Sequence, residues 1–387
     1  MAPSHQTSPI GIYVHIPFCS HICPYCDFNT YRGLEPLMPR YVDALVTDIR
    51  SFTDRHRLFT ASSIYLGGGT PSLLSASQVG VIIQELRNAF DLEPSAEITM
   101  EANPNSVDTS FFTGLLEAGI NRLSIGAQTF DRRGLRTLGR QHEAEDTVTA
   151  LRAARDAGFA NVSLDLIFGW PGQSLEQWSQ DLDCVLSLSE SPTHVSLYGL
   201  IVEPGTPMAD AVKRGVMTPV GDDDAADLYE LAISRLEAAG WIHYEVANWT
   251  SVDGFQSQHN TIYWRNGEYA GFGAGAHWRI GDSRRMNHLL PQTYIDSVQR
   301  GDEPVSNSEL IDARLSMGET MMLGLRLLRE GLSFAEFEAR HQQDARVVFG
   351  DQITRLTDAG LIDQTDGRIT LTRRGLLLAN DVCAQFV

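Results

Sequence analysis

Six short runs rich in β-branched residues, each followed by a helical stretch, fill the first half of the chain. The strand candidates are Ile10–Ile16, Ser62–Leu66, Glu97–Glu101, Arg122–Ala127, Val162–Phe168 and His194–Leu200. Helical patterns fall between them at Pro39–Phe52, Ser77–Ala89, Thr109–Ala118, Glu143–Ala157 and Leu175–Ser187. In the first helix Tyr41, Leu45, Ile49 and Phe52 recur on one face. Such alternation predicts a parallel sheet with helices outside it, doubly wound or barrel-like. Polar and glycine residues cluster just after each strand, which favours a barrel, whose sites lie at the strands' carboxyl ends.

The loop after the first strand carries Cys19, Cys23 and Cys26 at spacing C-x3-C-x2-C. Three thiolates from one loop can point at a common centre. A cubane iron–sulfur cluster has four irons, so three cysteines leave one iron open to a small chelating molecule. A structural zinc site, completed by His15 or His21, fits the same spacing. A disulfide does not suit a chain with five cysteines and no secretory signal.

The strand ends hold the remaining candidates. Gly67-Gly68-Gly69-Thr70-Pro71 lets backbone approach a ligand closely, or simply makes a tight turn. Glu101 brings a carboxylate to the rim. Gln128 ends the fourth strand, and Arg140-Gln141-His142 follow in its loop. Asp165 stands in an otherwise apolar fifth strand, either as a ligand contact or as a buried partner for Arg122 or Arg140. Gly199 lies near the end of the sixth.

Further along, the pattern gives a helix from about Gly221 to Gly240, then a strand over Tyr244–Trp249. His259, Asn260, Tyr263 and Trp264 follow closely enough to form a wall against a flat conjugated ligand. The bland alternative is a histidine capping a strand while both aromatics pack inward. The glycine run Gly271–Gly275 does not have dinucleotide-fingerprint spacing. A linker is expected over Arg300–Ser308. Beyond it lie helices at Met317–Leu328, Ser333–His341 and Val347–Ala359, a hairpin around Gly367, and a last helix from Gly375 to Phe386. Three helices and a hairpin suggest a winged-helix module. Met321 and Met322 read as core, and Cys184 and Cys383 as small buried hydrophobes.

At 387 residues the chain is long enough for one large domain and one small one. No run reaches the ~20 apolar residues that cross a bilayer. Residues Met1–Pro9 lack a basic, then apolar, export signal, so a cytoplasmic location is expected. A net charge of −19 argues against nucleic acid, including for the winged-helix module.

Tyr13-Val-His15-Ile-Pro-Phe-Cys19, Gly67–Pro71, Glu101, Gly126-Ala-Gln128, Asp165–Gly169 and Gly271–His277 occur in an order that resembles a known family. It is the oxygen-independent coproporphyrinogen III oxidases of the radical S-adenosylmethionine (SAM) superfamily. The chain is most similar to the branch of haem chaperones, HemW. The oxidases carry a fourth cysteine where Phe28 stands, and a longer extension before the first cysteine. The His259-Asn260-x-x-Tyr263-Trp264 motif and the C-terminal module also look like the chaperone branch.

The resemblance implies an α/β fold: an incomplete (β/α)6 radical SAM barrel with a small α+β winged-helix-like C-terminal domain. It divides the chain into a barrel with its cluster loop (1–240), a barrel-closing extension and linker (241–308), and the C-terminal domain (309–387). By resemblance Cys19, Cys23 and Cys26 hold a [4Fe–4S] cluster, with Tyr13, Gly68, Glu101 and His277 lining a SAM at the open iron. Tyr25, Gly69, Thr70, Gln128, Arg140, Asp165 and Gly199 match positions that contact a second SAM in the oxidases. The implied function is binding haem, with His259 the candidate residue, and delivering it to haem-requiring respiratory proteins at the membrane. Implied partners are a flavodoxin- or ferredoxin-type electron donor and a second copy of the chain. The alternative is the oxidase reaction itself, oxidative decarboxylation of coproporphyrinogen III.

Overall fold

The structure is a computed structural model that describes residues 8–56 and 58–387. The reading of an N-terminus without an export signal falls mostly on residues 1–7, outside those described. In chain order the first strands are β1 Ile10–Ile16, β2 Thr60–Gly68, β3 Asp91–Ala102, β4 Arg122–Gln128, β5 Asn161–Phe168 and β6 His194–Gly199. Next come β7 Ile242–Glu245, β8 Asn248–Thr250, β9 Tyr269–Phe272, β10 His277–Ile280, β11 Ser283–Asn287 and β12 Val305–Leu310. The last three are β13 Leu332–Ser333, β14 Ile362–Thr365 and β15 Arg368–Leu371.

The expected α/β alternation is present. A helix over Met38–Arg55 follows β1, and all four residues of its predicted apolar stripe are buried. Ser75 and Ser174 start helices with capping boxes. Each hydroxyl accepts the amide of a glutamine three residues on, and that glutamine's side chain accepts the serine's own amide.

The chain forms two compact units. The first comprises the described residues of Met1–Ile125, Thr149–Val162 and Gly267–Leu310. Here β1 runs parallel to both β2 and β9, and β2, β3 and β4 pair in parallel succession. β10, β11 and β12 continue antiparallel from β9. The expected linker at Arg300–Ser308 thus turns into strand from Val305. Val-Ser-Asn-Ser-Glu-Leu lacks apolar alternation because its side chains are mostly exposed at a sheet edge.

The second unit comprises Gly126–Val148, Ser163–Asn266 and Ile311–Val387. β5 and β6 pair in parallel, and β8 pairs antiparallel with β6 on one side and β7 on the other. The single strand expected over Tyr244–Trp249 is therefore a hairpin. Its turn at Val246 and Ala247 contains no glycine or proline to betray it. In the C-terminal part a three-stranded sheet, ordered β13-β15-β14, packs with short helices around Met317, Met321, Phe337, Phe349 and Ile353. Met321 is core, as expected, whereas Met322 is partly buried against that core. The Met317–Leu328 helix instead spans Ala313–Gly324, started by the Asp312 side chain. The final helix is two, Arg373–Leu377 and Ala379–Cys383. Cys383 is buried, but Cys184 is only half-buried.

Candidate cofactor site

In the first unit the cysteine loop leaves the end of β1 and is pinched at its base. Phe18 and Tyr31 form a parallel bridge, with Tyr31 N donating to Pro17 O at 2.7 Å and Cys19 N to Tyr31 O at 3.0 Å. Inside the loop Cys26 N donates to Cys23 O at 3.1 Å. None of the three cysteines is in a disulfide. Burial pushes the Cys19 and Cys26 thiols up, and each feels the charge of its neighbouring cysteines. A bound cation offsets that cost by deprotonating a coordinating thiol.

The glycine turn after β2 lies against this loop. Gly69 N donates to Ile16 O and Thr70 N to Phe18 O, both at 2.8 Å. The Thr70 hydroxyl sits 3.4 Å from Cys19 Sγ. A Cβ on Gly69 would come within 2.7 Å of Phe18 O and 3.1 Å of Cys19 Sγ. The run is therefore more than a turn: its backbone occupies space that a side chain would deny.

Glu101, at the end of β3, accepts the Tyr65 hydroxyl at 2.8 Å and the Gly68 amide at 3.1 Å. Tyr65 stacks on Tyr13, and the Tyr13 hydroxyl is 2.9 Å from His15 Nδ1. His15 Nε2 is 2.9 Å from Asn29 O, so both ring nitrogens are engaged. Burial lowers the His15 pKa, and His277 adds to the effect. His277 opens β10 and is exposed. Asn29 closes the loop by donating to Ala274 O and Leu289 O, both at 3.0 Å. Tyr13, Gly68, Gly69, Thr70, Glu101 and the cysteine loop are thus joined by direct contacts. Tyr25 is half-buried within that loop.

Three cysteines of one loop, none in a disulfide, make a donor set that suits a thiolate-held cluster. His15 has no free nitrogen to complete a Cys3His zinc site. Among the described residues no three His, Cys, Asp or Glu side chains converge on one metal position.

The second unit carries the remaining candidates. Gln128 ends β4 at φ 65, a left-handed conformation that is uncommon outside glycine. Its neighbours are fixed: Arg140 donates to Gly126 O at 3.2 Å, and His142 Nε2 lies 3.1 Å from Ala127 O. Thr129 and Phe130 donate to the buried Asp181 carboxylate at 2.6 and 2.7 Å. Asp165 accepts the Ser163 hydroxyl at 3.1 Å, while Arg122 stands 3.8 Å from Glu97. Gly199 pairs with Phe168 across β5 and β6.

His259 is not at a strand end; it lies in a helix, Gln258–Trp264, capped by the Ser257 hydroxyl. It is 1% exposed, and its Nε2 is 2.8 Å from the Tyr263 hydroxyl. Trp264 is half-buried with the Arg326 guanidinium 4.5 Å over its ring, so the wall is narrower than the motif suggests. Sequence reasoning missed Tyr65, Asn29 and the hydrogen-bonded role of His15. Only the register of β2 beside β3 brings Tyr65 to Glu101.

The radical SAM superfamily model matches residues 13–185, and the HemN C-terminal domain model matches 312–378. A protein of Bacillus subtilis (strain 168) named heme chaperone HemW is 36% identical over 378 residues, covering 97% of this chain and 98% of its own. The chain belongs to the HemW family. Another HemW, from Mycobacterium tuberculosis (strain ATCC 25618 / H37Rv), is 38% identical over 97% of this chain and 94% of its own. A mitochondrial radical S-adenosyl methionine domain-containing protein 1 of Bos taurus is 34% identical over 84% of this chain and 76% of its own. In structure the chain resembles the coproporphyrinogen III oxidase HemN of Escherichia coli, with TM-score 0.85 and 23% identity over 98% of this chain and 90% of that one. This HemW-family chain therefore has the radical SAM α/β fold expected from its six β/α repeats, with a small sheet-and-helix C-terminal domain. The superfamily implies SAM and a [4Fe–4S] cluster. No described helix is long and apolar enough to cross a membrane.

Proposed function

We propose that this chain is a haem chaperone, carrying a SAM-bound [4Fe–4S] cluster and passing haem to respiratory enzymes at the membrane. The observation that carries the reading is the cysteine loop. Three cysteines outside any disulfide are held in one pinched turn, while Phe28, where the oxidases have a fourth cysteine, is 68% exposed. Full-length likeness to proteins named heme chaperone supports the same reading.

Cys19, Cys23 and Cys26 would hold the cluster, and Tyr13, Gly68, Glu101 and His277 would line the SAM. When bound, the cluster supplies an open iron for SAM and a source of single electrons. The chain's own contribution is placement. Glu101 fixes the Gly68 amide, Gly69 lets backbone lie against Cys19, and Asn29 ties the loop to the segment before β10. Tyr25, Gly69, Thr70, Gln128, Arg140, Asp165 and Gly199 are proposed contacts of a second ligand. His259 shapes the haem site by orienting the Tyr263 hydroxyl, since its Nε2 is already bonded there.

Further partners in this reading are a flavodoxin- or ferredoxin-type electron donor and a second copy of the chain. The location is cytoplasmic, with membrane contact through the acceptors.

Anaerobically purified protein should be brown and contain about four irons per chain. Stoichiometric zinc with no iron after reconstitution would overturn the cluster. Incubation with reductant, SAM and coproporphyrinogen III should give no protoporphyrinogen IX. Steady formation of that product would replace the chaperone reading with the oxidase.

A further inference from the structure

A fully buried histidine outside the cofactor loop sits in a continuous hydrogen-bonded chain. Within the second unit, Ser257 N donates to Tyr244 Oη at 3.1 Å, and Tyr244 Oη lies 2.9 Å from His194 Nε2. His194 Nδ1 lies 2.8 Å from Ser163 Oγ, which donates to Asp165 Oδ1 at 3.1 Å. Ser163 and His194 are both 0% exposed.

The inventory of donors fixes the direction. Asp165 as a carboxylate only accepts, so Ser163 gives it the hydroxyl proton. Ser163 Oγ then accepts from His194 Nδ1–H. With that tautomer His194 Nε2 accepts the Tyr244 hydroxyl proton, leaving the Tyr244 oxygen to take the Ser257 amide. Every donor points the same way, from the cap of the His259 helix to the acid on β5, and each bond polarises the next. The backbone ladder shares the load: β5 and β6 pair at Ser163–His194, and β8 pairs with β6 at Thr250–His194.

We propose that Ser163, His194 and Tyr244 are positioning residues that set the His259 helix relative to Asp165, so that the two ends of the candidate ligand-binding unit are held as one. This rests on the reading above, in which Asp165 contacts a ligand and His259 shapes the haem site. Ser257 is the joint, because its hydroxyl caps the helix while its amide ends the chain. Neither a conserved-looking motif nor the strand pattern marks His194 or Tyr244 for this role.

The test is haem titration of the full-length, cluster-loaded protein carrying Tyr244→Phe, with Ser163→Ala as a second variant and His259→Ala as reference. Tyr244→Phe keeps the ring and removes the link. Haem binding should weaken about fivefold, with the Soret band moving in the same direction as in His259→Ala. Cluster absorbance and iron content should stay at wild-type values. Combining Tyr244→Phe with His259→Ala should cost less than the two losses summed, because both act on one helix. Wild-type haem binding in both chain variants, alongside a loss in His259→Ala, would overturn the positioning role while leaving the haem site standing. No change in any of the three, His259→Ala included, would overturn both. A purely structural role for Tyr244 would lower thermal stability and leave the Soret band unmoved, which also rejects the proposal.

Discussion

The Gly68 amide donates to the Glu101 carboxylate at 3.1 Å, tying the end of β2 to the end of β3 beside the cysteine loop. The other carboxylate oxygen holds Tyr65, so both oxygens work at once. Hydrogen bonds to a charged group are worth about 1.5–3 kcal/mol each. Glu101→Ala should weaken SAM binding at least tenfold, measured by anaerobic calorimetry, with iron content unchanged, since in the proposed roles Cys19, Cys23 and Cys26 hold the cluster and Glu101 lines the SAM. Unchanged SAM affinity would remove Glu101 from the site.

Gly69 has neighbours that cannot retreat. A Cβ there meets the carbonyls of Phe18 and Ile16 at 2.7 and 3.0 Å, and both belong to backbone. Gly69→Ala should displace the glycine turn from Cys19, costing about 1–3 kcal/mol and lowering the thermal midpoint by several degrees. Reconstituted iron should fall well below about four per chain. Full iron loading at wild-type stability would show that the turn does not support the loop.

Acid should act through His142. Burial, with the Arg140 guanidinium beside it, pushes its pKa down to about 4, whereas the unfolded chain protonates near 6.5. Between those values the unfolded chain binds the extra proton, so stability falls as pH drops from about 6.5 towards 4, by up to about 3 kcal/mol. Asp48 and Asp181, each pushed up to about 6 by burial, act in the opposite sense, so the comparison must be between variant and wild type. His142→Gln should lose less stability than wild type between pH 7 and pH 5 in urea unfolding. Equal losses would mean that folding leaves the His142 pKa unshifted.

Much of this architecture was legible because period and position coincide. Tyr41, Leu45, Ile49 and Phe52 repeat at helical spacing and are all buried. Three of the six early strands, β2, β4 and β6, end in a glycine or a polar residue, at Gly68, Gln128 and Gly199. What stayed hidden depends on partners distant in sequence. The β7–β8 turn at Val246–Ala247 has ordinary residues, and β12 is a polar edge strand that pairs with β11 without apolar alternation. His194 appeared only as a strand's first residue; its bonds to Ser163 and Tyr244 span 31 and 50 positions. The helix around His259 was obscured by its aromatics, which suggest a flat wall. In place, His259 turns inward to Tyr263, and Arg326 lies over Trp264.

Haem transfer tests the central claim most directly. Cluster-loaded protein, prepared anaerobically with SAM and charged with one equivalent of haem, should be mixed with an apo-respiratory enzyme in membrane vesicles. The account predicts that haem leaves this chain, that the acceptor gains its haem spectrum and activity, and that Cys19→Ala, lacking the cluster, transfers far less. Failure of the wild-type protein to bind haem, or transfer no faster than from free haem, would contradict it.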